Sequence, residues 1–307
     1  MKKYIVRKIG IGILQIFVVS VAIFCILHVL PGDPVDALVS EKVPQEKKEE
    51  LREEWGFNKP LTEQYADWAK GVLSGDLGKS LKTGLKISDS MAMRVSYSLR
   101  LCGIALFFQV LVSILLGSIA AWKRDGIFDR IVMEYSLITS AIPTFWIGMV
   151  LILLFGVELN ILPASGYTSW KHYIMPILAI VLGGLSMNTR LIRSEVIGAM
   201  NERYVLTAYA KGLPENKILF LHVLRNAMIV IIVNTFLSLP WIIAGSVVVE
   251  NIFAIPGMGA WMTNAVINRD IPVVQACVLI ISILTVFANL LSDILVAFMD
   301  PRVRIVE

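Results

Sequence analysis

Charged residues are scarce in this chain of 307 residues: Asp, Glu, Lys and Arg together make up 17% of it, whereas 56% is hydrophobic. A typical soluble domain carries about 25% charged residues, and the mean hydropathy of the chain is high, at +0.72. The net charge of +4 comes from cations dispersed in short loops rather than gathered on one face with aromatics. This composition argues against a soluble domain and against nucleic-acid binding.

Cysteine and histidine are also rare, with three residues of each. The cysteines lie inside apolar runs without a CxxC pair, and the histidines are scattered over the chain. Neither a disulfide framework nor a metal site is therefore predicted.

Signatures of catalysis and nucleotide binding are missing. No GxSxG motif or pair of intramembrane Asp residues occurs. Gly78-Lys79-Ser80 resembles the end of a phosphate-binding loop, but Leu73 stands where that loop requires Gly. We predict that the chain is not an enzyme, has no catalytic residue and binds no cofactor or metal. A pump built on it would need energy from a partner or an ion gradient.

What the chain does have is long apolar runs. A helix needs about 20 apolar residues to cross a bilayer, and it satisfies its own backbone hydrogen bonds there. Six segments meet this requirement, and we find no internal repeat. The prediction is an all-α, polytopic membrane protein with spans near residues 9–30, 99–122, 132–157, 173–193, 227–249 and 273–299.

Lys and Arg residues orient these spans, because cations in short loops stay on the cytoplasmic side. They are concentrated at both termini and in the stretches 123–130 and 190–225. This distribution predicts both termini in the cytoplasm of a prokaryote, with the chain in its inner or plasma membrane. The first span follows a basic N-terminus without a cleavage site and is expected to remain uncleaved.

Four regions follow from this topology. Residues 1–30 contain the first span, 31–97 form a folded extracytoplasmic segment, 98–299 form the membrane core and 300–307 are a cytoplasmic tail. The extracytoplasmic segment is long enough that its Lys and Arg residues do not have to lie on the cytoplasmic side. It contains a charged helix at 45–54, and its apolar side is expected to consist of Trp55, Tyr65, Trp68 and Leu73.

The cytoplasmic loop 201–226 is predicted to form two short helices that meet at Gly212. Gly212 suits the left-handed conformation at a helix end, and Pro214 with Glu215 suits the first turn of the next helix. The small side chains of Ala208 and Ala210 would allow another protein to approach the corner closely.

Tyr204, Lys211 and Arg225 are further candidates for contacts at that corner. From the residues alone, an ordinary helix at the membrane interface is an equal alternative.

The same loop resembles the EAA-type coupling loop of ABC-importer permeases in the dipeptide, oligopeptide and nickel branch. That version has Tyr-Val-x-x-Ala-x-Ala-Lys-Gly-Leu followed by His-x-Leu-Arg-Asn-Ala. The matching residues are Tyr204, Val205, Ala208, Ala210, Lys211, Gly212, Leu213, His222, Leu224, Arg225, Asn226 and Ala227. Tyr209 departs from the pattern, since many members have Arg there.

Further strings of the same branch occur along the whole chain, at residues 75–80, 142–147, 162–166, 249–253, 256–259, 269–273 and 300–302. The resemblance implies half of a translocation path, completed by a second, homologous permease. It also implies two cytoplasmic ATPase subunits, which carry ATP and Mg, and an extracytoplasmic solute-binding protein. The residues predicted to couple to the ATPases are Tyr204, Ala208, Ala210, Lys211, Gly212, Leu213, Arg225 and Asn226.

Polar residues elsewhere give weaker predictions. Glu250, Arg269 and Asp270, next to the Pro256-Gly257 break, are expected to line the outer mouth or contact the binding protein. Local charge pairing in a solvated turn is the alternative.

In the last span, Asn289 and Asp293 are expected near the interface, or facing the pore or a partner, because a carboxylate is costly at mid-membrane. Pro143 and Pro240 are expected to kink the third and fifth spans, either to shape the cavity or as packing kinks.

Two other classes of function remain as rivals. A secondary transporter or channel would predict inverted repeats and a midplane ion site, and an intramembrane enzyme would need a nucleophile. Cargo stays open between peptides and nickel or metal chelates. The stretch 162–172 leans slightly toward nickel-type members.

Overall fold

The computed structural model describes residues 2–29, 35 and 43–299, and this part of the chain contains no β-strand. The all-α prediction is therefore confirmed. In chain order the helices are α1 (Lys2–Val29), α2 (Gln45–Glu54), α3 (Leu61–Leu73), α4 (Ile87–Trp122), α5 (Ile127–Ser140), α6 (Thr144–Leu151), α7 (Lys171–Met200), α8 (Arg203–Ala210), α9 (Glu215–Lys217), α10 (Arg225–Ile252), α11 (Met258–Ile267) and α12 (Ile271–Met299). π-Helical segments follow α6, at Ile152–Glu158, and α9, at Ile218–Leu224.

Four of these helices, α1, α4, α7 and α12, are long and apolar enough to cross a membrane. Two bent pairs, Ile127–Ser140 with Thr144–Glu158 and Glu215–Met228 with Val230–Ala244, raise the number to six if each counts as one span. The six predicted segments match these helices and pairs. The predicted tail 300–307, with its 300–302 string, lies outside the described residues.

Helix α4 begins well before the predicted start of the second span at residue 99. Its first turns mix polar and apolar residues, so hydropathy does not mark them. However, Ile87, Met91 and Val95 recur at helical spacing and pack in a hydrophobic core. Tertiary packing rather than lipid accounts for this extension.

The third predicted span is not one kinked helix. Its two halves are bent by 100°, and Pro143 caps the second half from an extended conformation. Proline lacks an N–H and disfavours helical geometry in the residue before it, so the chain breaks fully between Ser140 and Thr144.

The fifth predicted span contains a bend away from Pro240, and the kink expected at Pro240 itself stays a prediction. Helix α10 continues through Pro240, and the 43° bend in this pair lies between Met228 and Val230. The bend comes soon after the π-helical segment Ile218–Leu224, whose backbone pitch differs from that of an α-helix.

The chain forms two compact units. Within the described residues, the larger unit comprises 99–255 and 288–299, and the smaller unit comprises 2–29, 35, 43–98 and 256–287. Helices α4 and α12 contribute to both.

In the larger unit, α7 packs against α5, α6 and α10, and glycines bring it close to α4 and α6. A β-carbon on Gly117 of α4 would lie 2.8 Å from the carbonyl oxygen of Thr189 and 2.9 Å from the β-carbon of Ile192. A β-carbon on Gly183 of α7 would lie 2.5 Å from the hydroxyl oxygen of Thr144. Small residues at such positions let membrane helices approach closely and associate through van der Waals contact. The hydrophobic effect does not drive helix association within lipid.

In the smaller unit, α3 packs on α1. The Ser20 and Tyr65 hydroxyl oxygens are 2.9 Å apart, and the Phe24 ring lies against Tyr65 and Trp68, with ring centroids 5.4 and 6.4 Å away. The predicted helix 45–54 is confirmed as α2. Leu73, however, is 89% exposed and does not belong to the apolar side, because it is the last residue of α3.

The close approach at Gly117 gives a direct test of this packing. We expect Gly117→Ala to lower the thermal unfolding temperature of the purified chain by several degrees, because the new methyl group must displace backbone of α7 at a cost of about 1–3 kcal/mol. Gly103→Ala in the same helix is the control, since its added β-carbon meets nothing within 4 Å. Equal unfolding temperatures for the two variants would contradict the packing described.

Candidate functional site

Residues 203–224 form the predicted pair of helices with a corner at Gly212, and we call this segment the elbow. Gly212 has a φ of 70°. The Gly212 N–H donates to the Tyr209 carbonyl over 2.9 Å, and the Leu213 N–H donates to the Ala208 carbonyl over 3.3 Å. These two bonds are the Schellman pattern that ends a helix at a left-handed residue. Pro214 then caps the second arm.

One side of the elbow is anchored in a hydrophobic core of the larger unit. The core combines elbow residues with residues of α4, α7 and α10, namely Ala121, Ile192, Val196, Val205, Ala208, Ile218, Val223, Ala227 and Ile231. Leu213, at the corner, packs against it. The elbow is therefore fixed to three long helices rather than suspended in a loose loop.

The other side of the elbow carries large apolar and aromatic residues that are exposed. They are Tyr204, Leu206, Tyr209, Phe220 and Leu221, which we call the elbow face. Phe220 is the most exposed of the aromatics, at 67%. Exposed apolar residues concentrated on one element are typical of an interaction surface.

The predicted coupling residues divide between the two sides. Tyr204, Ala210, Lys211, Gly212, Arg225 and Asn226 are exposed, and Leu213 is half-buried. Ala208 is buried in the core, so the prediction that its small side chain faces a partner is wrong. A small residue is needed there because the arm packs closely on the helices beneath it. Asn226 donates to the His222 carbonyl over 2.7 Å.

An ion pair between the buried Asp129 and the half-buried Arg193 lies next to this core. The Arg193 guanidinium on α7 donates from Nε and Nη2 to the two carboxylate oxygens of Asp129, over 2.5 and 2.6 Å. Asp129 also accepts the N–H of Asp125, whose φ is 63°. The pair joins α5, the turn before it and α7. Fork-to-fork pairing of this kind fixes orientation as well as distance.

The larger unit also contains a cavity of about 550 Å³. Its lining comes from α4, α6, α7 and α10 and comprises Gln109, Thr144, Ile180, Gly183, Gly184, Met187, Asn188, Asn234, Leu237, Ser238 and Ile242. Asn234 Nδ2 donates to Asn188 Oδ1 over 3.2 Å. The cavity therefore presents amides and hydroxyls within an apolar frame.

Sequence reasoning missed this cavity. Gln109, Asn188 and Asn234 belong to no motif, and they stand far apart in the chain. The available signal was that each is a polar residue inside an apolar span, where such residues face the protein interior. The predicted pore residues Asn289 and Asp293 are half-buried on α12 and are not part of this lining.

Two predicted mouth residues are placed differently from the expectation. Glu250 is fully buried in the larger unit, with the Ser246 hydroxyl 3.4 Å from its Oε1. Asp270, in the smaller unit, is buried and accepts hydrogen bonds from Ser80 Oγ over 2.5 Å and from the Leu81 N–H over 3.0 Å. Neither carboxylate is available to a docking protein or sits in a solvated turn, because each is buried.

The other mouth residues give a mixed result. Arg269 is exposed with a φ of 53°, Pro256 is half-buried, and Gly257 is buried at the start of α11. Among the described residues, no group of three or more His, Cys, Asp or Glu side chains is placed to hold a metal ion.

The helices, the anchored elbow and the polar cavity together define a multi-pass membrane subunit of a transport system. The model of the family described as binding-protein-dependent transport system inner membrane component matches residues 113–305, and the model of the N-terminal part of such membrane components matches residues 1–97. The chain belongs to this family.

Several curated relatives align over nearly the whole chain at 33% identity. The probable peptide ABC transporter permease protein y4tP of Sinorhizobium fredii covers 98% of this chain and 99% of its own length. The dipeptide transport system permease protein DppB of Escherichia coli K12 covers 99% of both. The oligopeptide transport system permease protein AppB of Bacillus subtilis covers 99% of this chain and 100% of its own.

These similarities confirm the family resemblance stated from the sequence. The chain is a permease subunit of a binding-protein-dependent ABC importer, which works with an ATPase and a solute-binding protein. It is not itself the enzyme, since hydrolysis belongs to the ATPase partner.

Breaking the Asp129–Arg193 pair should destabilise the larger unit. Arg193→Met leaves the buried Asp129 carboxylate without its guanidinium, and because Arg193 itself is half-buried the cost should lie below the roughly 3–5 kcal/mol of a fully buried pair. We expect a drop of several degrees in the thermal unfolding temperature, partly recovered by adding Asp129→Asn. Arg190→Met, at an exposed position of the same helix, is the matched control and should change little. A drop of equal size in both single variants would show that the pair is not responsible.

The corner at Gly212 should tolerate only residues that adopt a left-handed backbone. We expect Gly212→Val to abolish ATP-dependent uptake by the assembled importer while membrane insertion stays normal, because a β-carbon there costs about 1–2 kcal/mol in backbone strain and re-aims the elbow. Gly212→Asn should keep most uptake, since Asn adopts this conformation more readily. Space is not the cause, because a β-carbon at this position meets no atom within 4 Å. Normal uptake by the valine variant would contradict a role for the corner.

Proposed function

We propose that this chain forms half of the translocation path of a peptide importer, with a second, homologous permease forming the other half. Two ATPase subunits would bind on the cytoplasmic side, and a solute-binding protein would deliver cargo from outside. Peptides are the proposed cargo because the names of the three relatives refer to peptide, dipeptide and oligopeptide transport. None of these three names refers to nickel.

The elbow carries the coupling part of the proposal. Its face exposes Tyr209 and Phe220, while Val205 and Ile218 on the opposite side are buried against the long helices. A segment with one side packed in the helix bundle and an exposed apolar side is suited to bind a partner and to transmit the partner's movement to the bundle. Aromatic anchors of this type usually contribute most of the binding energy of an interface.

The proposed orientation follows from the distribution of Lys and Arg. Cations flank the elbow and the turn before α5, which places both on the cytoplasmic side together with both termini, in the inner or plasma membrane of a prokaryote. The segment that contains α2 and α3 then lies outside the cell, on the side from which the binding protein approaches.

In the proposed mechanism the chain converts an ATPase movement into a change of access. ATP with Mg, held on the partner ATPases, supplies the free energy. Closure of the ATPases would push the elbow, and its shared core with α7 and α10 would transmit the displacement as a rigid-body shift of these helices between inward- and outward-facing states. The Asp129–Arg193 pair would make α5 follow α7.

The test is uptake by proteoliposomes that contain this chain with its cognate permease, ATPase and binding-protein subunits. We expect uptake of a labelled dipeptide that requires internal ATP. Phe220→Glu should reduce both uptake and co-purification of the ATPase at least about tenfold, because a charge replaces an anchor worth roughly 2 kcal/mol or more. Leu73→Glu is the control, since Leu73 is also apolar and exposed but lies on α3.

Each contrary outcome has a distinct meaning. ATP-independent flux through this chain alone would replace the importer by a carrier or channel. ATP-dependent uptake of labelled nickel in place of the dipeptide would contradict the cargo. Full uptake by the Phe220→Glu variant would contradict docking on the elbow face.

A further inference from the structure

The 550 Å³ cavity of the larger unit has a lining without any ionisable side chain among the described residues. Its polar groups are three carboxamides, two hydroxyls and the backbone at Gly183 and Gly184. Ile180, Met187, Leu237 and Ile242 provide the apolar remainder. A site with this chemistry attracts hydrogen-bonding groups without favouring either sign of charge.

Gln109 is the residue in this cavity whose hydrogen bonding is incomplete. Its side chain is 4% exposed, and Oε1 has no hydrogen-bond partner among the described residues. A buried amide oxygen left unpaired costs free energy, all the more within a membrane-spanning helix where lipid offers no donor. The position therefore calls for a donor that the described part of the chain does not supply.

The backbone around Gln109 holds its carboxamide at the cavity. A β-carbon on Gly184 would lie 2.5 Å from Gln109 Cδ and from Oε1, so the carboxamide rests directly on the glycine. The Thr144 side chain likewise rests directly on Gly183. The two consecutive glycines of α7 thus form a shallow slot that accommodates one polar side chain from α4 and one from α6.

Carboxamides are the side chains that match a peptide bond. Each offers an N–H donor and a carbonyl acceptor with the same geometry as the backbone amide. Asn188 and Asn234 bond each other over 3.2 Å, whereas Gln109 keeps an unused acceptor. A backbone N–H of a bound peptide is a donor that every residue except proline provides.

We propose that Gln109, supported by Gly184, is a contact for the backbone N–H of cargo peptides, so that the path recognises the peptide bond and disregards the side chains. This inference rests on the proposed function, because it presupposes peptide cargo. It assigns to this cavity a substrate class and a specificity-determining residue.

The experiment compares tri-alanine with an analogue in which one peptide nitrogen is methylated, using ATP-dependent uptake by the reconstituted importer. Gln109→Met keeps the length of the side chain but removes the acceptor. We expect it to lower tri-alanine uptake about tenfold and to make the ratio of tri-alanine uptake to uptake of the methylated analogue smaller than in the wild type. The preference of the binding protein for either peptide cancels when the variant's ratio is compared with that of the wild type, because the same binding protein serves both permeases.

Peptides with a central Lys or Glu test the second half of the proposal. Gln109→Met should lower their uptake by the same factor as that of tri-alanine, because the lost contact is to the backbone. Gln15→Met makes the same chemical change on α1, outside this cavity, and should transport like the wild type. Gly184→Ala leaves Gln109 in place but displaces its carboxamide, and should reproduce the changed ratio if Gln109→Met fails to assemble.

The outcomes separate this inference from the proposed function. Absence of ATP-dependent peptide uptake by the wild-type importer would contradict the proposed function. Peptide uptake by the wild type together with an unchanged ratio in the Gln109 and Gly184 variants would overturn only the backbone contact. A Gln109→Met variant that loses uptake of the Lys peptide or the Glu peptide alone would overturn it as well.

Discussion

Close contact at glycines along α7 is the constraint on which the larger unit depends. Gly117 of α4 lies against Thr189 and Ile192, and Gly183 and Gly184 of α7 receive Thr144 and Gln109. Lipid is as apolar as a leucine side chain, so membrane helices associate through packing and hydrogen bonds rather than through hydrophobic collapse. Helix α7 is therefore the element against which α4, α5, α6 and α10 are positioned.

The functional features of the larger unit occur in order along this one helix. The cavity is lined at Gly183 to Asn188, Arg193 pairs with Asp129, and Ile192 and Val196 support the elbow. At 1.5 Å per residue these positions lie within roughly 20 Å along the axis. Along α7 no break in the helix separates the residues that support the elbow from those that line the cavity. The proposed coupling to a separate ATPase relies on this continuity.

The elbow was predictable from local sequence, because Gly212 in its left-handed conformation ends one helix and Pro214 starts the next without contacts from the rest of the chain. The burial of Ala208 was not predictable, because the buried face of so short a helix depends on the core against which it packs. Glu250 and Asp270 were predicted at the surface because charged side chains favour water, but both are buried. Asp270 accepts a hydrogen bond from Ser80, which connects two of the family motifs, residues 75–80 and 269–273.

By itself, the sequence determined that this is an all-α membrane protein, which of its segments are apolar and long enough to span, and which family it belongs to. Hydropathy, turn chemistry and motif strings are local properties of the chain. Only the tertiary structure decided the partner of Arg193 and the set of amides around the cavity. These depend on residues that are distant in the chain, such as Asp129 with Arg193 and Gln109 with Gly184. Their contacts arise only after the helices have packed, so no window of sequence contains both partners.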